Sequence, residues 1–562
     1  MKTSLPRFLF WPLLLAFGLC SLPGFGQRDF YERYSFNQSD TLRGMLRPER
    51  SCYDVGFYEL DLRVDIDRKY LEGSVSMDFV VLEPTRRLQI DLYANMEITR
   101  IDWQNSPLRY SREHNAVFVE FTETLLPGSR HRLRIAYRGQ PQAARNPPWD
   151  GGFVWSKDRN GKPWVGVACE GDGASLWWPN KDHLSDEPDS VSIRVAVPTG
   201  LQCVANGNLR GQTALPGGYT RFDWFVSYPI NNYNVTLNIA DYAHFSDVYV
   251  AADGDSLALD YYVLPYNEAK AREHFRQVQP TLACFERFFG KYPFWRDGFA
   301  LVETSYLGME HQSAIAYGNR YLRGYLGSMI PRDMDWDYVI VHETGHEYFG
   351  NSVSCNDLSE MWIHESFTTY MEALFVECEF SYPDAVRYMK GMLGHIGNRQ
   401  PILGPPDVNW EKWHYSDHYY KGAWVLHTLR HAINDDERWF ALLKSFYQQC
   451  ALSNIRTDDV VQFVNDFTGR DFTAFFEQYL WYPAVPKLLY RLKPQGDDLE
   501  VFFKWEAQVP GFDMPVLIGR KGEYVQVFPN TETARSVVLK GLSPEDFQVA
   551  TELFLIETLK ID

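Results

Sequence analysis

Two histidines four residues apart, His342 and His346 in the run VIVHETGHEYFGN, are the side chains in this sequence best placed to do chemistry. On a helix that spacing sets both imidazoles on one face, where they can bind a single cation. A helix is expected there on independent grounds. Asp333, Asp335 and Asp337 suit a positive helix N-terminus, and Trp336, Val339 and Ile340 supply an apolar side. Two imidazoles do not complete a catalytic zinc site, which commonly takes three protein ligands and keeps its fourth position for water. Glu365, nineteen positions after His346 in WIHESFTTY, is the expected third ligand. A second helix, reached through the loop Asn351 to Ser359, brings it beside the histidines. The expected cofactor is one Zn2+ per chain, held by His342, His346 and Glu365. Glu343 follows the first ligand directly, so it flanks the metal and does not coordinate it. Its expected role is general base: zinc lowers the pKa of a coordinated water toward ~7, and Glu343 takes the proton and passes it to the leaving amine.

This pattern, HExxH, eighteen residues, then Glu, resembles the zinc signature of the aminopeptidase N and leukotriene hydrolase family of gluzincin metallopeptidases. The run His346-Glu347-Tyr348-Phe349-Gly350-Asn351 is similar to that family's HQWFGN. YYKGA, residues 419 to 423, resembles the family's YxKGA and implies Tyr419 as the oxyanion stabiliser, for which a phenol is a suitable neutral donor. LGMEHQ, residues 307 to 312, resembles GxMEN and implies that Met309, Glu310 and His311 contact substrate, with Glu310 on the free α-amine. His311 stands where the family has Asn, and the glycine lies directly before Met309. Glu170, in ACEGDGASLWWP, stands where the family's β domain supplies a second carboxylate or amide, although the following residues depart from its ARRAFP run.

The resemblance, over about residues 55 to 485, implies a zinc-dependent aminopeptidase acting on peptides with a free N-terminus. A thermolysin-type endopeptidase shares the zinc and the base but has no use for amine-binding carboxylates. A catalytically inactive scaffold of the same fold would not need Glu343, Tyr419 and all three ligands together. An epoxide hydrolase is not selected by any residue here. His311, His364, His414 and His418 lie near these motifs without ligand spacing of their own and read as neighbours rather than a second metal site.

Positioning these residues takes a framework too long for one core. From about Ser51 to Tyr242 apolar and polar residues alternate in short runs, as in Tyr58-Leu60-Leu62-Val64-Ile66 and Val75-Met77-Phe79, which predicts strands with one buried face. From Asn267, an expected N-cap, helical periodicity takes over, with an expected kink at Pro280 and an end at Gly290. Further helices are predicted at Asp335 to Phe349, Glu360 to Cys378, His418 to Ile433, Arg438 to Gln449 and Thr457 to Phe467. After Pro483 and Pro486 strands return. The expected fold is multidomain α+β: a signal peptide at 1–26, a lead segment at 27–50, an N-terminal β saddle-like domain at 51–244, a thermolysin-like, mainly helical catalytic domain at 245–485 and a small C-terminal β-sandwich domain at 486–562. The resemblance leaves no room for the large helical C-terminal domain of many relatives, so a more open cleft is expected.

The first segment, with Lys2 and Arg7 ahead of FLFWPLLLAFGL and small residues at Gly24-Phe25-Gly26, reads as a signal for export, cleaved after Gly26. The apolar run is too short to span a membrane, and no later stretch approaches a span. Without Lys2 and Arg7 the 55 basic residues fall to 53 against 73 acidic ones, a surface that repels nucleic acid and anionic lipid. The seven cysteines beyond the signal are widely spread with no CxxC, so no disulfide is predicted in particular. Nothing in the sequence sets an oligomeric state.

Overall fold

The computed structural model describes residues 30–410, 413 and 415–562. The expected signal peptide and His414 lie outside the described residues. Among those described, no helix is long and apolar enough to cross a membrane.

Alternation produces the N-terminal sheet directly. Strand Tyr53–Asp65 buries Tyr58, Leu60, Leu62 and Val64 while Asp61 and Arg63 face solvent, the period-two arrangement of a half-buried strand. It pairs antiparallel with Tyr70–Val81 (Leu60 opposite Val75) and parallel with Ser190–Pro198 (Phe57 opposite Ser190), in the middle of an eight-stranded sheet. A four-stranded sheet, with Gly152–Lys157 and Pro163–Ala168 at one side, closes this core together with the fully buried Trp177 and Trp178.

The catalytic region opens on a five-stranded sheet in the order Ala243–Val250, Ser256–Val263, Phe299–Glu303, Ile315–Tyr317, Gly308–Met309. Its edge strand Gly308–Met309 runs antiparallel to Ile315–Tyr317, and Glu310 follows immediately. The helical stretch after Asn267 is broken, but ahead of Pro280. Helix Glu268–His274 passes through a tight turn at Phe275–Gln277 into helix Val278–Phe288. Pro280 thereby falls in the first turn of the second helix, where its missing N–H costs least. Asn267 does not cap through its side chain; its amide donates to Glu303 at 2.6 Å. Helices Tyr338–His346, Trp362–Glu379 and Tyr420–Ile433 pack together as the centre of the region.

A Cys284–Cys378 disulfide ties helix Val278–Phe288 to the end of helix Trp362–Glu379, with Cα atoms 6.1 Å apart. Its partners lie 94 residues apart, so no local spacing announces it. The C-terminal strands form a four-stranded sheet and a three-stranded sheet whose apolar faces, Leu488, Val501 and Trp505 with Val516 and Ile518, join the core of the catalytic region. Gln526 donates to the Ala432 carbonyl at 2.8 Å and the Leu555 N–H to Thr428 at 2.9 Å, seating these sheets on helix Tyr420–Ile433.

Candidate active site

Helix Tyr338–His346 starts where Asp337 caps it, accepting from the N–H groups of Val339 at 2.9 Å and Ile340 at 3.3 Å. The fully buried Asp337 also accepts from the Tyr317 hydroxyl at 2.6 Å and pairs with His274 at 2.6 Å, so the start of the helix is bound to the sheet and to the preceding helix. One turn and two turns on, His342 and His346 point their Nε2 atoms at each other, 3.1 Å apart. Glu365, in the first turn of helix Trp362–Glu379, brings Oε2 to 3.7 Å from His342 Nε2 and 3.4 Å from His346 Nε2.

The protons of these rings follow from their other nitrogens. His346 Nδ1 faces the Phe349 carbonyl at 3.0 Å, an acceptor, and His342 Nδ1 faces the Glu372 carboxylate at 2.6 Å. Each Nδ1 therefore carries the hydrogen, and each Nε2 presents a lone pair. Two lone pairs at 3.1 Å and a buried Glu365 Oε2 with no hydrogen-bond partner repel one another unless they share a cation. His342, His346 and Glu365 offer donor atoms all within 4.8 Å, and all three are buried. Two imidazoles and one carboxylate are the donor set that fits a catalytic zinc.

Glu372 was not foreseen. It lies seven residues, two helical turns, beyond Glu365, so it stands on the same helix face. Its second oxygen accepts from the Tyr388 hydroxyl at 2.5 Å, which completes the carboxylate–histidine pairing that orients metal-binding imidazoles. Only the identity of the ligand helix face could have pointed to it.

Glu343 lies beside the ligands and against Gly308 of the edge strand, where an added Cβ would stand 2.7 Å from its Oε1. This explains why glycine directly precedes Met309. Burial raises the Glu343 carboxyl to about 7, with His342 and His346 pulling it down and Glu310 and Glu365 pushing it up. Glu310 is buried, and its Oε1 accepts from the Tyr233 hydroxyl at 3.1 Å. Its backbone carbonyl accepts from Asn351 at 2.7 Å, and Asn351 in turn accepts from Asn234 at 2.6 Å. Asn231 donates to the Gly350 carbonyl at 2.6 Å. The loop Asn231 to Asn234 of the β domain thus clamps the turn after His346, a role no motif in that loop announces. Glu170 comes from the same domain and is half-buried. Burial, and next the charge of Glu310, hold its carboxyl well above the usual range.

Met309 is buried among Tyr306, Ala314 and Ala316 at the junction of the two domains, so its side chain serves the core. His311 is fully buried with neither ring nitrogen hydrogen-bonded, and burial pushes its pKa down to about 3. His364 accepts from the Cys355 N–H at 2.9 Å, a structural contact.

Tyr419 stands just ahead of helix Tyr420–Ile433, its ring stacked on His342 with centroids 6.1 Å apart. Burial and then Glu365 push its phenol well above its ordinary pKa, so it remains a donor. The rest of its motif holds it there. Lys421 donates to the carbonyls of Tyr482 at 3.0 Å and Pro483 at 2.7 Å. Gly422 abuts Ser366, where a Cβ would fall 1.6 Å from Oγ, and Ser366 donates to the His418 carbonyl at 2.7 Å.

Residues 274–479 match the Peptidase family M1 domain. Aminopeptidase B of Mus musculus is 24% identical over 490 residues, covering 80% of this chain and 72% of that protein. Aminopeptidase B of Rattus norvegicus is 24% identical over 432 residues, 71% of this chain and 62% of its own length. Aminopeptidase N of Escherichia coli (strain K12) is 24% identical over 288 residues, of which this chain spans only 33% of the length. A crystal structure of a mutant M1 zinc metallopeptidase from Deinococcus radiodurans, bound to a Tyr-Ser-Ala substrate, shares the fold with a TM-score of 0.62 at 21% identity, over 79% of this chain and 96% of that one. The matched core at residues 274–479, the three-donor site and this shared fold make the chain similar to the peptidase M1 family, the gluzincin family of aminopeptidase N.

Proposed function

We propose that this protein is a zinc-dependent aminopeptidase that hydrolyses the first peptide bond of peptides with a free N-terminus. The observation that carries the reading is the position of Glu310: its carboxylate, that of Glu343 and the His346 imidazole offer atoms all within 4.8 Å of one another. An α-ammonium paired with Glu310 leaves room for only the first peptide bond at the base.

His342, His346 and Glu365 would hold the zinc, which would supply Lewis-acid polarisation of the water and of the scissile carbonyl. Glu343 accepts the proton of the attacking water and returns it to the leaving amine nitrogen. Tyr419 donates its phenolic O–H to the carbonyl oxygen as negative charge develops there. Glu310, oriented by Tyr233, pairs with the ammonium from one side and Glu170 from the β domain from another, which sets the register of the peptide.

The test compares aminoacyl fluorogenic substrates with and without an Nα-acetyl group. Acetylation removes the positive charge and leaves buried carboxylates unpaired, a change worth about 3–5 kcal/mol, so the blocked substrates are expected to react at least ~100-fold more slowly. Equal rates would replace the aminopeptidase reading by the endopeptidase one and leave the metal site standing.

We also infer export from the N-terminal segment. The Cys284–Cys378 disulfide suits an oxidising compartment. A mature protein beginning at Gln27 outside the cytoplasm is expected by mass spectrometry; an intact Met1 in the cytoplasmic fraction would count against it.

A further inference from the structure

The segment from Phe30 to Gly44 lies far from the zinc motif in sequence, yet a continuous series of ring contacts connects it to the site. Tyr31 and Tyr34 set their rings edge-on to the buried Trp410, at 5.0 and 5.2 Å between centroids. Trp410 meets Trp413 edge-on at 6.2 Å, Trp413 stacks on His418 at 4.5 Å, and His418 meets Tyr419 at 4.6 Å. Tyr419 then stacks on the ligand His342.

Both ends of the segment are fastened. The Tyr31 hydroxyl donates to the Leu403 carbonyl at 3.0 Å, and the Asn409 N–H to the Asp40 carbonyl at 3.0 Å. Gly44 lies against the Val408 backbone, where a Cβ would fall 2.0 Å from the carbonyl carbon. On the β-domain side Arg43 donates to the Asp182 carbonyl at 2.7 Å and Gln89 to the Leu42 carbonyl at 2.9 Å. Between Ile396 and Trp410 the chain ahead of Tyr419 has no helix or strand of its own, so its position depends on such outside contacts.

We propose that the segment Phe30–Gly44 is a positioning element for the proposed reaction: fastened to the β domain by Arg43 and Leu42, it packs its rings on Trp410 and, through Trp413 and His418, keeps the Tyr419 phenol aimed at the site. A donor placed about 1 Å from its working position loses on the order of 100-fold in rate without loss of substrate binding. The inference rests on the reading of Tyr419 as the oxyanion donor, and a double-mutant cycle separates the two.

Trp410→Ala in the full chain is expected to lower kcat roughly 10- to 100-fold, with KM and zinc content little changed, and Trp410→Phe to restore most of the loss. In a Tyr419→Phe background the same Trp410→Ala change is expected to cost under about 3-fold, because the donor it positions is already absent. Tyr31→Leu with Tyr34→Leu provides a second route should Trp410→Ala not fold, with the same expected pattern. If the losses from Trp410→Ala and Tyr419→Phe multiply, or if kcat is unchanged when the segment's rings are removed, the segment does not position Tyr419. If Tyr419→Phe itself turns over at the wild-type rate, the role of Tyr419 fails first.

Discussion

Gly308 lies so close to Glu343 that a Cβ at position 308 would stand 2.7 Å from Glu343 Oε1 and 2.8 Å from Val339 Cγ1. The edge strand therefore sets the position of the Glu343 carboxylate, the proposed general base, through the absence of a side chain. Gly308→Ala is expected to push Glu343 aside and lower kcat on the order of 100-fold, while zinc stays bound because no ligand moves. Metal analysis and steady-state kinetics on one sample decide this; unchanged kcat would mean that the contact is relieved elsewhere.

Glu343→Gln and Tyr419→Phe both leave the three ligands intact, so both variants are expected to retain one zinc per chain. The first removes the base, for an expected loss of about 10²–10⁴ in turnover. The second removes one donor to the developing oxyanion, for about 10²–10³ in kcat with little change in KM. Near-wild-type turnover in either variant would show that the residue has been given the wrong role.

Glu372 accepts the Nδ1 hydrogen of His342 at 2.6 Å without reaching the metal position. Glu372→Ala frees the imidazole to turn and to change tautomer, so zinc affinity is expected to drop about 10- to 100-fold. Competition with a chelator measures it. Affinity equal to wild type would reduce Glu372 to a partner of Tyr388 alone.

The Cys284–Cys378 disulfide closes a 94-residue separation and braces the helix that carries Glu365 and Glu372. Replacing both cysteines by serine is expected to cost about 2–5 kcal/mol of stability, read as a lower thermal midpoint. Activity at moderate temperature is expected to persist, because neither sulfur lies at the site. A midpoint unmoved by the replacement or by reduction would show that the bond contributes nothing to the folded state.

The sequence by itself determined those parts of this protein that depend on local periodicity and fixed spacing. His342 and His346 share a helix face because they are four apart, and the strand at Tyr58 to Val64 and the helices around Glu365 and Trp424 follow from periods of two and 3.6. Family resemblance added Glu310, Tyr419 and Glu170, whose separations from the zinc motif carry no local signal. Tertiary structure alone decided the rest. The kink near Pro280 moved one turn upstream, because a proline is tolerated in the first turn of a helix and not in its interior. Met309, named with Glu310 by its motif, packs in the apolar core beside Ala314 and Ala316, a placement that depends on which segments meet there. Glu372, the clamp of Asn231 and Asn234, the disulfide and the ring series from Tyr31 to Tyr419 join residues tens to hundreds of positions apart. Such contacts arise only when packed elements bring distant chain segments together, and no period or spacing along the chain encodes which segments will meet.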